Sequence, residues 1–448
     1  RLQFVTRAKN GIKSYLGPPD EIRADFASET STLMQWSDDG ALIALLNGTP
    51  TISIYDAETF EIVKQIDHRK VAAAAFSPKK RYLVTWERLP SQREQASAQK
   101  DKEESDAPTS NIPFNNLIIW DLKTGEQAGS FVQKVYVPEL WPSIRFSPDE
   151  KFAARMVSNE VHFYQCPDFQ NVANRLKLPD IAKFSISPNE TKWTVAAFVK
   201  EKKGAPGFVR IFDYPSFDTI CSKSFYKAQE VDLLWNSQGT SLLIVTHTDV
   251  DKSGKSYYGE TGLHYLQADG KFETNVVLKK EGPIHDCVWS PTGKEFAVVY
   301  GFMPAQTTIF NIKCEPIADI GTGSRNTCKF SPSGKLICVA GFGNLQGYVD
   351  IWDWKKLKKL GSWMANYSAH YEWSPDGRYI ITAVLFPRMK VDNGFKVWRY
   401  DGTLVYEEGF QELYQVNWQP LPYSVFPDRP PSPRLYAAAR QAETEKPP

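Results

Sequence analysis

The chain has almost no surplus of charge. Its 53 lysines and arginines stand against 52 aspartates and glutamates, for a net charge of +1. A protein that holds nucleic acid by bulk charge is far more basic, so any RNA contact has to come from a local patch. Cysteine is scarce: the six present (Cys166, Cys221, Cys287, Cys314, Cys328, Cys338) form no C-x-x-C pair and no dense framework. That pattern points to a reducing, cytoplasmic setting rather than a disulfide-stapled secreted fold. Long apolar runs are missing too. With no stretch of 18 apolar residues, no membrane-spanning helix is predicted. The opening Arg-Leu-Gln-Phe-Val-Thr-Arg is too poor in apolar residues for a signal peptide.

Sequence signatures of catalysis are equally thin. Six histidines (His68, His162, His247, His264, His285, His370) show neither H-x-x-x-H nor H-E-x-x-H spacing, so no metal site is predicted. There is no G-x-S-x-G elbow. Asp251-Lys-Ser-Gly-Lys-Ser256 looks like a phosphate loop, but Asp249 stands where G-x-x-x-x-G-K-[ST] needs its first glycine, and no strand-to-helix context surrounds it. No cofactor is expected and the chain reads as a non-enzyme; an active site in a central channel would need convergent ionisable groups that the sequence does not place.

What the chain has is aromatic residues, 13% of the total within a 42% hydrophobic composition, enough for a large β-rich core. It also has a repeat. The stretch Tyr371-Glu-Trp-Ser-Pro-Asp-Gly-Arg-Tyr-Ile-Ile-Thr-Ala-Val-Leu385 reads as strand, tight turn, strand, with Pro375, Asp376 and Gly377 supplying the turn chemistry. Equivalent anchors recur at Trp36, Phe76, Phe146, Ile186, Trp235, Trp289, Phe330, Trp373 and Trp418, with spacings of 40, 70, 40, 49, 54, 41, 43 and 45. The interval of 70 contains the polar stretch 87–115, which reads as a disordered insertion. Removing roughly 25 residues of it restores a period near 45.

A strand-rich repeat of this length predicts an all-β, WD-repeat-type β-propeller with about four strands per blade. Third strands end in an aromatic and a polar residue, and Trp120-Asp121 and Trp352-Asp353 are literal WD pairs. Cys287 and Cys328 each lie two residues before an anchor, on the same strand face, and are expected to be buried. Trp418 has little strand material after it, whereas Gln3–Thr6 and Ile12–Leu16 precede the first anchor. A blade shared by the two termini would complete a single nine-bladed ring over 1–420 and remove both exposed edges. The alternatives are a seven-bladed ring with a partial second sheet, or two smaller propellers. Residues 421–448 read as a Pro-rich tail or linker.

In such a fold the anchor turns share one face, while the second-to-third-strand loops and the blade crossings share the other. The loops carry Lys200, Lys202, Lys203, Lys252, Lys255, Arg388 and Lys390, interleaved with Tyr257, Tyr258, Phe302 and Phe342. Cations beside aromatics suit phosphate contact and base stacking, so these eleven residues are the candidate RNA contacts. Lys355-Lys-Leu-Lys-Lys359 falls in a third-to-fourth-strand turn at the opposite face or rim and reads as a solvated turn.

The loop sequences also carry a resemblance. GAPGFVRIFDYPSF (204–217), TDVDKSGKSYYGETGLHYL (248–266), GPIHDCVWS (282–290), VYGFMPAQTTIFN (299–311), GFGNLQG (341–347), NGFKVW (393–398) and VNWQP (416–420) resemble the eukaryotic translation initiation factor 2A family over nearly the whole chain. The resemblance implies a propeller that binds the small (40S) ribosomal subunit and assists codon-dependent, GTP-independent delivery of initiator methionyl-tRNA. It also implies other initiation factors as partners. The family continues into a basic, partly helical C-terminal region associated with tRNA and mRNA, whereas this chain stops at Pro448. A cytoplasmic monomer without membrane contact is expected. The rival reading is a generic propeller scaffold for protein–protein assembly.

Overall fold

The computed structural model describes residues 1–18, 21–25, 31–47, 51–68, 70–90, 115–248 and 259–431. The strands form nine four-stranded antiparallel sheets, the blades of a β-propeller, and the described residues contain no α-helix. Blade 1 runs from Ser31–Trp36 to Ile62–Asp67, blade 2 from Val71–Phe76 to Gln127–Phe131, and blade 3 from Ile144–Phe146 to Asn174–Lys177. Blade 4 spans Ile181–Ile186 to Thr219–Phe225, blade 5 Glu230–Trp235 to Glu273–Asn275, and blade 6 Ile284–Trp289 to Pro316–Gly323. Blade 7 spans Thr327–Phe330 to Lys358–Met364 and blade 8 His370–Trp373 to Leu404–Gly409. Blade 9 pairs Leu413–Trp418 with the N-terminal strands, Phe4 opposite Trp418 and Thr6 opposite Val416. All nine anchor residues end the first strand of a blade, and the shared terminal blade forms as the sequence predicts. The chain divides into two compact units, one being Ser31–Lys177 and the other Arg1–Thr30 with Leu178–Pro448. The stretch read as disordered, 87–115, falls mostly outside the described residues; Glu87 ends a blade 2 strand and only residues up to 90 and from 115 are described.

Burial explains why each strand has its composition. The second strand of a blade is covered on both sides, so Thr194–Val199 and Leu336–Ala340 are buried at every position and read as continuous apolar runs. The fourth strand is an edge, and Leu404–Gly409 alternates exposed with half-buried residues. Cys287 and Cys328 are buried beside their anchors, and burial pushes both thiols up.

The anchor turn is built from one left-handed residue and a serine. Ser374 Oγ donates to Asp376 and accepts from the Tyr379 amide at 2.9 Å, and Gly377 takes φ 69°. Gly40, Gly239, Gly293 and Gly334 occupy the same conformation, and where glycine is absent Lys80 and Glu150 adopt it at φ 62° and 59°. Two of the anchors also stitch neighbouring blades by hydrogen bonds. Trp289 Nε1 donates to Leu234 O (2.8 Å) and Trp373 Nε1 to Lys329 O (3.1 Å), each on the preceding blade. Two third-strand tryptophans work within a blade: Trp120 and Trp398 donate to Thr85 (2.8 Å) and Thr382 (2.9 Å).

Deeper along the first strands, polar side chains link consecutive blades. Tyr371 of blade 8 lies 2.7 Å from Thr327 Oγ1 of blade 7, and Thr327 donates to Asp286 of blade 6 at 2.8 Å. Asp286 also accepts from the Cys328 amide at 2.9 Å. Glu372 accepts from Asn417 and the Trp418 amide of blade 9. Of the Pro-rich tail, 421–431 is described. Asp428 takes Lys335 Nζ at 2.6 Å and the Tyr423 hydroxyl at 2.8 Å, so this part lies against the turn side of blade 7; residues 432–448 lie outside the described residues.

Candidate functional site

In blades 4 to 9 antiparallel order puts the second-to-third-strand loops and the blade crossings at the face opposite the anchor turns. Blade 4 contributes a tight hairpin. Lys202 and Ala205 exchange backbone hydrogen bonds of 3.1 and 2.9 Å, closed by Gly204 at φ 82°. The tip leaves Lys200, Lys202 and Lys203 exposed. Their surroundings are not uniformly basic. Lys202 pairs with Asp180 at 2.6 Å, the Lys227 amide donates to Glu201 at 2.5 Å, and Lys227 Nζ pairs with Glu260 at 3.0 Å. Lys200, Lys203, Arg388 and Lys390 are exposed and lack a carboxylate within ion-pair distance among the described residues. Arg388 reaches across to blade 7: a Cβ on Gly343 would meet its guanidinium at 3.1 Å. Among the described residues no three His, Cys, Asp or Glu side chains converge as a metal site would require, and no helix is long and apolar enough to cross a membrane.

Comparison with known proteins places this geometry. The model of the family described as "Eukaryotic translation initiation factor eIF2A" matches residues 223–416. The eukaryotic translation initiation factor 2A of Dictyostelium discoideum is 41% identical over 435 residues, covering 96% of this chain and 68% of that protein. Its namesake in Schizosaccharomyces pombe is 38% identical over 429 residues, covering 94% of this chain and 70% of that one. The chain belongs to the eukaryotic translation initiation factor 2A family. A solved structure described as that of "the eukaryotic initiation factor" superposes with a TM-score of 0.81 at 35% identity, covering 94% of this chain and 99% of that one.

Within this chain the eleven residues nominated from the sequence fare differently. Lys200, Lys202, Lys203, Arg388 and Lys390 lie exposed at the loop face, with Lys202 already neutralised by Asp180. Phe302 is half-buried, its amide held by Glu281 O at 3.0 Å. Phe342 is a correction. It is only 7% exposed and packs on Tyr371 with ring centroids 5.2 Å apart, so it is core and offers no stacking surface. Asn326 causes this by clamping the Phe342 backbone, accepting from its amide at 3.0 Å and donating to its carbonyl at 2.8 Å. Lys252, Lys255, Tyr257 and Tyr258 lie outside the described residues.

Sequence reasoning missed the aromatics of the crossings. Tyr226 is 80% exposed and Tyr367 67%, each just ahead of a first strand, while Tyr348 at the start of a third strand is 47% exposed. The available signal was a tyrosine outside every β-rich run, in Phe-Tyr-Lys227 and Ala-Asn-Tyr-Ser368. Of the basic cluster 355–359, residues 355–357 lie in the turn of blade 7 and Lys358 and Lys359 begin its fourth strand, with Lys359 near Asp350 (3.5 Å) and Lys355 over the Trp354 ring.

Proposed function

We propose that the chain is a non-enzymatic, cytoplasmic translation initiation factor that docks on the small ribosomal subunit through the loop face of blades 4 to 8. In this reading it acts as a monomer beside other initiation factors and assists codon-dependent placement of initiator methionyl-tRNA. Membership in the initiation factor 2A family supports the reading. The observation that carries the choice of face is its set of uncompensated cations, Lys200, Lys203, Arg388 and Lys390. Lysine and arginine without carboxylate partners gain most from displacing counterions on phosphate. Lys202 is excluded from that set because Asp180 holds it.

Co-sedimentation with purified small subunits tests this. Four phosphate contacts imply that affinity falls on the order of a hundredfold between 50 and 200 mM salt. Reversing the four charges together (Lys200→Glu, Lys203→Glu, Arg388→Glu, Lys390→Glu) is expected to abolish sedimentation with the subunit. Unchanged co-sedimentation would place the contact elsewhere. The scaffold reading draws on exposed Tyr226, Tyr367 and Val391 and expects binding with little salt dependence.

A further inference from the structure

Two tyrosines on the loop face serve no packing role among the described residues. Tyr226, in the crossing from blade 4 to blade 5, is 80% exposed, and Tyr367, in the crossing from blade 7 to blade 8, is 67% exposed. Neither side chain makes a hydrogen bond, an ion pair or a ring contact among the described residues. Both are displayed from a fixed backbone. Tyr226 is followed by Lys227, left-handed at φ 68° with its amide on Glu201 at 2.5 Å, and buried Phe225 and Ala228 lie on either side. Tyr367 is itself left-handed at φ 60° between buried Ala365 and Ser368. A bulky residue in that region is strained, and such strain collects at binding sites. An aromatic ring on a pinned crossing offers a bare flat face that loses little freedom on binding.

The surrounding charges say what that face suits. Three segments of blades 7 and 8, 341–347, 365–368 and 386–393, meet at Tyr367. The Ala365 amide donates to Gly347 O at 2.8 Å, a Cβ on Gly343 would meet the Arg388 guanidinium at 3.1 Å, and Asn366 and Ser368 share a cleft of about 310 Å³ with Asp392 and Asn393. The charged residues of these segments are Arg388, Lys390 and Asp392, so cations prevail. At Tyr226, Asp180 takes Lys202, Glu260 takes Lys227 and Glu201 accepts from the Lys227 amide, which leaves Lys200 and Lys203 of the touching hairpin. A flat ring beside unpaired cations matches a nucleotide, whose base has a π-face and whose phosphate is anionic. In a duplex the base faces are covered by their neighbours, so only an unpaired nucleotide can offer one.

We propose that Tyr226 and Tyr367 are base-stacking positions, and that the loop face takes RNA through unpaired nucleotides. Arg388 and Lys390 hold phosphates beside Tyr367, and Lys200 and Lys203 do so beside Tyr226. The inference rests on the loop-face reading above and names the kind of RNA that face meets.

Fluorescence anisotropy of the whole chain with a fluorescein-labelled oligouridylate and a blunt RNA duplex of equal length tests it. The single strand is expected to bind about tenfold tighter than the duplex. Tyr226→Ala and Tyr367→Ala are each expected to weaken oligouridylate binding about fivefold or more, with near-ultraviolet dichroism unchanged. Tyr226→Phe and Tyr367→Phe keep the ring and are expected to bind within about twofold of the parent. Absence of oligouridylate binding, a duplex that binds as tightly, alanine variants that bind like the parent, or phenylalanine variants that lose as much as alanine each overturn the proposal. So does loss of co-sedimentation with small subunits in alanine variants whose oligouridylate binding is intact, which would make the partner of the rings a protein. The two readings fail separately. Co-sedimentation that survives the fourfold charge reversal removes the ribosome reading, whereas parent-like oligouridylate binding by the alanine variants removes stacking alone.

Discussion

Asp286 offers the sharpest test of how the blades are held together. Its carboxylate accepts from Thr327 Oγ1 at 2.8 Å and the Cys328 amide at 2.9 Å, both on the next blade, and Thr327 is tied onward to Tyr371 at 2.7 Å. Asp286→Ala leaves two blade 7 donors without an acceptor in a largely buried site. At about 1–3 kcal/mol for each of the two unsatisfied groups, the loss is about 2–6 kcal/mol. Asp286→Asn keeps one carbonyl oxygen but turns an NH₂ toward donors, and should cost less. Burial pushes the Asp286 carboxyl up despite the bonds it accepts. A carboxyl raised on folding favours the native state below its unfolded value and loses that contribution as pH rises through the native one. The deficit of Asp286→Asn relative to the parent is therefore larger at pH 4 than at pH 7. The assay is urea unfolding of the unit that contains blades 4 to 9, with amide exchange over residues 327–330 as the local readout. In a double-mutant cycle with Thr327→Val, a coupling of about 1–2 kcal/mol is expected for groups in direct contact. If the two changes add to within about 0.5 kcal/mol, or exchange at Cys328 is unaltered in Asp286→Ala, the bridge contributes nothing and the stitching argument fails.

Two further outcomes follow from the turns and from blade 2. Gly377→Ala places a Cβ on a residue at φ 69° and should lower stability by about 1–2 kcal/mol, read as a shifted urea midpoint; an unchanged midpoint would show that the turn relaxes. His68 is 7% exposed, lies 2.8 Å from Thr85 Oγ1, and is pushed down to about 4 by burial. A histidine lowered from about 6.5 stabilises the fold above that pH and loses the contribution between pH 6.5 and 4, up to about 3 kcal/mol. Glu87 at 3.5 Å, itself pushed up by burial, moderates the effect once His68 is charged. Parent and His68→Gln should therefore differ in the slope of stability against pH only in that window; parallel curves would contradict it.

The scaffold was legible in the sequence because its determinants are local. A serine, a turn and a residue that tolerates positive φ sit within five positions, and the anchor beside them recurs at the blade period. The apolar second strands are equally readable. Side-chain fate in the loops was not legible, because it is decided by residues far away in the chain. Phe342 is buried through Asn326, and Lys202 is neutralised by Asp180. Gly394 faces Gly409 across blade 8, a register that exists only once the hairpin has formed.

The same locality explains why the two faces are suited to different work. The turn face spends its polar groups on neighbouring blades: Ser187 donates to Gly239 O at 3.0 Å, Asn236 to Gly293 O at 3.1 Å, and Gln238 to Thr292 O at 2.7 Å. The tail occupies more of it through Asp428 and Lys335. A partner binding there would compete with contacts that hold the blades together. On the loop face the same blades leave Lys200, Lys203, Arg388, Lys390 and Asp392 without ion-pair partners among the described residues, together with exposed Tyr226 and Tyr367. Substitutions at these positions can change binding while leaving the inter-blade bonds intact. The loop face is therefore where affinity can vary without cost to the fold, whereas changes in the anchor turns act first on stability.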